Sequence, residues 1–445
     1  MTKPAMTKPV YASSNDAKLL TLCVLGELFG GQRTLKVGVR LWDGTRWPDD
    51  SDRAATLVLK HPGALRAMLL PGSELGLAEA YLYDDINIEG DIESAFELAD
   101  SLAEMTLGWR RKVRAARDLL RLPPRDVRPP GRRGPARLTG KRHSLERDRQ
   151  AVTYHYDVSN DFFALWLDRR MVYSSAYFHS GDDELDTAQE RKLDYVCRKL
   201  RLKPGQRLLD IGCGWGALVM HAARRYGVDA TGITLSRPQA DLANERIAAA
   251  GLSAQCRVEV RDYRQIEAPQ GYDALASLGM FEHVGAALLP SYFSQAWRLL
   301  EPGGVFLNHG IASRATDKPA HGPTFSDTYV FPDGELVPIH VTLNAAEEAG
   351  FEVRDVESLR EHYALTLRHW VRRLEAHRAQ ALRWVDEPTF RVWRLFMSGS
   401  AHGFATGRLN VYQCLLARPP EGGQSGLPLT RMDWYHPAGN RKVAS

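Results

Sequence analysis

The run LLDIGCGWGALVMHAARRYGVDATGITLS, from Leu208 to Ser236, constrains the fold of this chain more than any other stretch. Leu208, Leu209 and Ile211 suit a buried parallel strand, and Gly212, Gly214 and Gly216 allow a tight turn with close approach of a ligand. Ala217 to Tyr226 has helical apolar spacing, and Val228 to Ile233 resumes the sheet pattern. A glycine turn between a strand and a helix marks a cofactor site, whereas an isolated glycine triplet says little. No Gly-Lys-Ser/Thr follows, which removes the phosphate-loop reading. No acid ends the second strand, where Thr234, Leu235 and Ser236 stand, and this disfavours a nicotinamide dinucleotide. A turn that serves the fold alone is the alternative.

The rest of the chain supplies partners for that unit. Strands are expected in order at Arg207–Ile211, Asp229–Ile233, Cys256–Val260, Tyr272–Ser277, Val305–His309 and Asn410–Leu416, with helices between the first five. This alternation predicts an α/β fold with a doubly wound, Rossmann-like parallel sheet. Ahead of it, Leu35 to Trp42 alternates like a strand before an Asp43-Gly44 turn. Ala55–Leu59 reads as another strand, and helices are expected over Pro62–Met68, Leu77–Leu82 and Ile92–Leu107. The expected organisation is therefore a smaller mixed α+β domain over 16–108, a basic Pro/Arg-rich linker over 109–143, a catalytic domain over 144–420 and a tail over 421–445. The first fifteen residues, polar and rich in Ser, Thr and Pro, read as disordered. At 445 residues there is ample length for two cores.

Charge is distributed unevenly. Glu74 to Glu104 holds ten acids and no lysine or arginine, whereas Arg110 to Arg149 holds fifteen lysines and arginines against four acids. Such a block attracts an anionic bilayer or a nucleic acid, or else pairs with the acidic domain as a solvated linker. The absence of interleaved aromatics argues against stacking on bases, so no nucleic-acid partner is expected. Leu119, Leu120 and Leu122 beside arginines permit a helix lying on a membrane surface. No apolar run is long enough to span a bilayer and no basic-then-apolar signal opens the chain, so a cytoplasmic protein visiting the inner face of the membrane is expected. Cys23, Cys197, Cys213, Cys256 and Cys414 share no metal-ligand spacing; they read as reduced, mostly buried thiols, and no metal is expected.

Seven blocks in one order carry a resemblance: YHYDVSNDFF at Tyr154, MVYSSAYF at Met171, GCGWG at Gly212, GITLSRPQ at Gly232, MFEHVG at Met280, NHGI at Asn308 and HYALTLRHW at His362. Together they resemble class I S-adenosylmethionine-dependent methyltransferases, and more closely the cyclopropane fatty acid synthases and their mycolic-acid relatives, from about Leu35 to Pro419. The N-terminal GLAEAYLYDD and IEGDIE segments are similar to a domain that the shorter mycolic-acid enzymes lack, which implies a phospholipid substrate. The resemblance implies a cofactor site at Gly212, Gly214, Gly216, Thr234, Ser236, Gln239, Asp262 and Tyr263, covered by Tyr154 and Tyr156. For Asp262 a helix cap is the plain alternative, and for Gln239 an exposed helix position. It also implies a reacting centre of Glu282, His309, Tyr363 and the backbone of Ile311 around a bicarbonate ion, with Ser175 where the family carries cysteine. Structural hydrogen bonding is the rival reading, and a metal site fits the Glu and His composition less well.

The expected reaction moves a methyl group from S-adenosylmethionine to the double bond of an unsaturated phospholipid acyl chain. Proton loss from the resulting cation gives either a cyclopropane or, after a hydride shift, a 10-methylene group. Tyr173, Tyr177 and Phe178 are candidates to face that cation, or to line an acyl tunnel. Glu146, in HSLERDRQAV, resembles an actinobacterial branch that makes 10-methylene chains, and on that ground the methylene product is the expected one. A surface pair with Arg147 or Arg149 is the alternative for Glu146. The branch resemblance also implies a separate flavin-dependent reductase as partner and a homo-oligomer or larger complex. Methylation of a small molecule or nucleic acid, and a non-enzymatic lipid-binding module, are the more distant alternatives.

Overall fold

In the computed structural model, the described residues are 11–29, 36–104, 108–125, 134–156, 158–317 and 322–435. They divide into two compact units.

The first unit comprises residues through Gly134, Ala320–Tyr329 and Val385–Gly399. Its sheet consists of β1 (Val37–Arg40), β2 (Arg46–Trp47), β3 (Ala55–Leu59) and β4 (Ile86–Gly90), in the order β2-β1-β3-β4. The Asp43-Gly44 turn forms as expected: Gly44 takes a positive φ of 88° and the Thr45 N–H donates to Asp43 at 3.0 Å. The helices expected around residues 62–107 appear as Ala64–Leu69, Glu74–Leu82 and Ile92–Glu104, and Leu107 and Leu35 lie outside the described residues. Of the first fifteen residues, only Tyr11 onward is described, and a helix already begins at Ser14 and runs to Phe29.

Two features revise the expected boundaries. The segment from 109, read as linker, opens with a helix, Trp109–Arg121, that packs on Ser14–Phe29 inside the first unit through Ala115 and Leu119. Residues far along the chain also belong to this unit, because Arg391 sends its guanidinium to the carbonyl of Tyr81 at 2.7 Å and to Asp84 at 2.8 Å. No local pattern announces such a long-range contact, so a contiguous 16–108 domain was the natural reading of the sequence.

The second unit holds an eight-stranded sheet. Its strands are β5 (Arg207–Ile211), β6 (Asp229–Thr234), β7 (Cys256–Val260), β8 (Tyr272–Leu278), β9 (Leu300–Ser313), β10 (Val337–Pro338), β11 (Glu352–Ser358) and β12 (Leu409–Ala417). The order is β11-β12-β9-β8-β5-β6-β7, with β10 paired to β9. Strands β7, β6, β5, β8 and β9 run parallel, while β12 and β11 join antiparallel. The chain winds outward from β5 through β6 to β7, then returns to β8 on the other side of β5. Ligands bind in such sheets beyond the C-terminal strand ends at that switch point, here the turns after β5 and β8. Strands β5 to β8 fall where the sequence put them, β9 extends beyond the expected Val305–His309 at both ends, and the short β10, parallel to β9, was not expected. Strand β11 was missed, since its half-buried, charge-rich EVRDVES gives no continuous apolar run.

Four of the five cysteines are buried and Cys23 is exposed; all are free thiols. Burial raises the Cys213 thiol well above its ordinary value, which leaves it without nucleophile character.

Candidate active site

The glycine turn after β5 supplies the first wall. Gly212, Gly214 and Gly216 all take positive φ, at 82°, 54° and 77°. Each has its own reason. A Cβ on Gly212 would stand 2.5 Å from the Met280 Cβ, so the turn after β8 presses on it. A Cβ on Gly214 would meet no atom within 4 Å, because this residue faces the cleft. Gly216 begins the helix Ala217–Tyr226 and lies close to Ala243, so its smallness serves helix packing.

The second wall is the end of β6. Thr234 Oγ1 donates to Gln239 Oε1 at 2.8 Å and accepts from the Ser236 N–H at 3.1 Å. Gln239 is buried rather than exposed on its helix. Ser236 starts the helix Arg237–Ala249. Asp262, also buried, accepts from the Arg264 side chain on both oxygens, at 2.8 and 2.6 Å, and from the Arg264 N–H at 2.9 Å. The capping reading of Asp262 is thus present in the structure, and the residue still lines the cleft beside Tyr263. Burial pushes the Tyr263 phenol up to about 12.

The cover of the cleft is helical. Asp148, Val152 and Tyr156 of the helix Leu145–Tyr156 recur every four residues and line it together. Tyr154, two positions from Tyr156, points elsewhere on that helix and is not among the described lining residues. Asn160 fastens the segment: its carbonyl oxygen accepts from Trp215 in the glycine turn at 2.8 Å, and its amide donates to the Pro238 carbonyl at 3.1 Å. Asp157 lies outside the described residues.

The third wall carries the acid. Strand β8 ends at Leu278, where Gly279 turns with φ 75°, while β9 continues to Ser313. The Ile311 N–H, facing the vacated ladder position, donates to Glu282 Oε1 at 2.8 Å. Glu282 Oε2 is buried with no hydrogen-bond partner among the described residues. Burial raises the Glu282 carboxyl to about 7, opposed only by backbone hydrogen bonds. Its charge in turn helps to hold the phenols of Tyr156 and Tyr363 above their ordinary value, after burial itself. Tyr156, Tyr363, Ile311 and Glu282 therefore share one neighbourhood. Aromatic rings connect the two tyrosines: Tyr156 to Tyr173 at 6.3 Å, Tyr173 to Trp370 at 5.3 Å and Trp370 to Tyr363 at 6.0 Å.

Other expected residues fall differently. The alternation of β9 sends Asn308 to Tyr292, a 2.9 Å hydrogen bond, and so turns His309 to the opposite sheet face, where β12 pairs it with Gln413. The His309 imidazole is buried and held neutral, its value lowered to about 3 by burial and by Lys192 and Lys199. Both its ring nitrogens lack a partner among the described residues. Ser175 is fully buried and donates to the Ala176 carbonyl at 3.1 Å, while Lys192 donates to the neighbouring Ser174 hydroxyl at 2.9 Å. Of the three candidate aromatics only Tyr173 joins the cage. Tyr177 stacks on His362 and Phe178 on His362 and His369, which lie about 100° round the helix Arg360–Ala376 from Tyr363 and Trp370.

Glu146 is the plainest departure. It is exposed, with Arg149 at 4.0 Å and Gln150 at 3.5 Å as its partners, so the surface-pair alternative is what the structure shows. Facing solvent on the first turn of its helix, it is not brought to the reacting centre. Glu146→Gln is expected to leave turnover within about twofold and the product unchanged, because surface substitutions without buried partners are usually near neutral; product analysis by NMR checks both.

Sequence reasoning passed over Asp210. This acid interrupts the apolar strand β5 at its last residue but one, two positions before the glycine turn, which was the available signal. It is buried, with one oxygen unpartnered among the described residues, and burial raises it to about 7 against the pull of Lys192. No group of three or more His, Cys, Asp or Glu arranged for a metal occurs among the described residues.

The model of the family described as mycolic acid cyclopropane synthetase matches residues 143–414. The chain belongs to that family. A probable fatty acid methyltransferase of Pseudomonas putida is 40% identical over 90% of this chain and 96% of its own. Cyclopropane mycolic acid synthase 1 of Mycobacterium tuberculosis is 38% identical over 59% of this chain and 94% of its own, so the mycolic acid cyclopropane synthetase match leaves the first unit largely aside. Tuberculostearic acid methyltransferase UfaA1 of Mycobacterium tuberculosis is 32% identical over 85% of this chain and 87% of its own. Among solved structures, mycolic acid cyclopropane synthase CmaA1 complexed with S-adenosylhomocysteine superimposes with a TM-score of 0.57 at 35% identity, covering 60% of this chain and 97% of that one. This member of the family therefore has the class I methyltransferase fold with an added α+β region, and it is an S-adenosylmethionine-dependent C-methyltransferase. The site fits the cofactor on its own terms: an open glycine position at Gly214, buried polar groups at Gln239 and Asp262, and an aromatic cover at Tyr156.

Proposed function

We propose that the enzyme methylates the double bond of an unsaturated phospholipid acyl chain and closes a cyclopropane ring. The observation that carries this reading is Glu282, a buried carboxyl with one free oxygen in an aromatic enclosure at the strand ends beside the cofactor turn. S-adenosylmethionine, when bound against Gly212 and Gly214, supplies an electrophilic methyl group. An isolated alkene is a weak nucleophile, so the residues of the cleft must position it and exclude water. Methyl addition leaves a carbocation on the acyl chain, and the faces of Tyr156, Tyr173 and Trp370 suit a cation in a dry site. Loss of one proton completes the balance, the product being the substrate plus CH₂. Glu282, ionised above about pH 7, is the acceptor that the chain itself offers. A bicarbonate ion, as proton carrier, is part of this proposal; Glu282, His309, Tyr363 and the backbone at Ile311 are the groups that would surround it. Its support is the pair of unpartnered His309 nitrogens under the positive potential of Lys192 and Lys199.

Ring closure is preferred over the 10-methylene product expected from the sequence because the residue behind that expectation, Glu146, stands in solvent. The relatives agree in direction: the cyclopropane mycolic acid synthase is 38% identical over its match and the tuberculostearic acid methyltransferase 32%. Both products have the same mass, so proton NMR of the extracted acyl chain decides. Ring protons are expected. Vinylidene protons without ring protons would return the reading to the methylene product and leave the methyltransferase assignment intact.

A further inference from the structure

We infer that the helix Trp109–Arg121 is an interfacial anchor that seats the enzyme on an anionic phospholipid bilayer. The inference rests on the lipid reading above and goes beyond it by naming the docking surface. The helix buries one side against the first unit through Ala115, Asp118 and Leu119. On the other side Trp109, Val113 and Leu120 are 71%, 61% and 53% exposed. At about 100° per residue these three and the exposed Ala116 fall within a stripe roughly 60° wide, pointing well away from the buried side. An isolated exposed leucine needs no explanation, but a tryptophan, a valine and a leucine in register on one solvent-facing stripe do. This revises the sequence expectation, in which Leu119, Leu120 and Leu122 formed the membrane face: Leu119 and Leu122 are core residues, and only Leu120 faces out.

Charge selects the occupant. At the same angular spacing Lys112 lies on one flank of the stripe and Arg117, Arg110, Arg121 and Arg114 on the other, with the Arg110 guanidinium 5.4 Å from the centre of the Trp109 ring. Arg111 falls on the opposite side of the helix, beside Asp118 and Ala115. Arg114 is taken by Glu27, and Arg117 and Arg121 by Asp118. Arg110, Arg111 and Lys112 make no ion pair among the described residues, although the same unit carries the acid-rich stretch from Glu74 to Glu104. Beyond residue 134 the block is mixed: Arg147 pairs with Asp333 at 2.9 Å and Arg149 with Glu146, while the exposed Arg137 and Lys141 make no ion pair among the described residues. Arg110 and Lys112, both without an ion pair among the described residues, thus stand on either side of the apolar stripe. A shallow apolar ridge flanked by unpaired cations matches the boundary between acyl chains and anionic headgroups. It lacks the interleaved aromatics that single-stranded nucleic acid requires.

The test is co-sedimentation of the full chain with neutral phosphatidylcholine vesicles and with vesicles of equal parts phosphatidylcholine and phosphatidylglycerol. Combining Trp109→Ser, Val113→Ser and Leu120→Ser is expected to weaken binding to both at least ~10-fold, since apolar burial drives insertion on either surface. Combining Arg110→Gln and Lys112→Gln is expected to weaken binding to the anionic vesicles ~10- to 30-fold, flatten its salt dependence and leave neutral vesicles unaffected. Both variants should keep the wild-type Tm and the wild-type rate on detergent-dispersed lipid. Should the apolar variant fail to fold, Val113→Glu alone reads the same surface. Undiminished vesicle binding by these variants overturns the inference, as does loss of self-association with vesicle binding intact, which would make the stripe a contact between copies. Absence of methyl transfer to detergent-dispersed lipid by the wild-type enzyme would instead overturn the proposed function, whatever the vesicles show.

Discussion

Glu282→Gln is expected to lower kcat by ~10²- to 10⁴-fold, the usual contribution of a positioned general base. Affinity for S-adenosylmethionine should stay within about threefold. The substitution keeps an oxygen able to accept from the Ile311 N–H, so the local fold is preserved while the proton acceptor is lost. The pH dependence follows in sign. Burial raises the Glu282 carboxyl to about 7 in the free enzyme, and only the ionised form accepts a proton. Activity through this group is therefore absent at low pH and grows as pH rises through about 7, giving kcat/KM an ascending limb there. Roughly one carboxyl in ten is ionised one unit below that point. The glutamine variant should lose the limb along with the rate. Pre-steady-state turnover at saturating cofactor, beside cofactor binding by calorimetry, checks it. A variant that loses cofactor affinity in proportion to activity, yet reaches full rate at saturation, would remove Glu282 from the chemistry.

The glycine turn gives the second large effect, and two neighbouring positions separate folding from binding. Valine at Gly212 must take φ 82° and place its Cβ 2.5 Å from Met280, so left-handed strain adds to a steric clash in the core. A loss of about 2–5 kcal/mol is expected, seen as a Tm lower by about 3–8 °C in a unit of this size. Valine at Gly214 meets nothing within 4 Å and incurs only the left-handed strain of about 1–2 kcal/mol. Its side chain would stand in the cleft, so cofactor affinity should fall at least ~100-fold while most of the stability remains. Thermal melts and calorimetric titration with S-adenosylhomocysteine read the two effects. Wild-type affinity in Gly214→Val would show that the turn does not approach the cofactor.

Reading the sequence recovered the scaffold of the site because its signals are local. An apolar strand, three glycines and an apolar-spaced helix specify β5 and its turn without outside help, and the positive φ of all three glycines is what that pattern predicts. Gly214, Thr234, Gln239, Asp262 and Tyr263 duly line or border one cleft. The errors have a shared cause. Glu146 and Tyr154 were placed by neighbouring motif letters, yet on a helix two positions differ by about 200°, so adjacency in sequence says little about which side chain enters a cleft. Leu119 and Leu122 were assigned to the surface for the same reason. The direction of His309, which was not misplaced, depends on the phase of β9, and that is fixed by its partners Asn308–Tyr292 and Gln413 rather than by the NHGI block itself.

What the sequence by itself determined is the doubly wound sheet, the cofactor turn and the family to which they belong, since strand alternation and glycine spacing are properties of contiguous residues. Only the tertiary structure decided which charges are free and which are used. It removed solvent from Glu282 and raised its carboxyl towards neutrality, because β8 ends before β9 and leaves Ile311 to hold it. It paired Arg147 with Asp333 and left Arg110, Arg111 and Lys112 without an ion pair among the described residues. Burial and ion pairing depend on residues brought together across tens to hundreds of positions, and the chemistry of a carboxyl or an arginine is set by those neighbours.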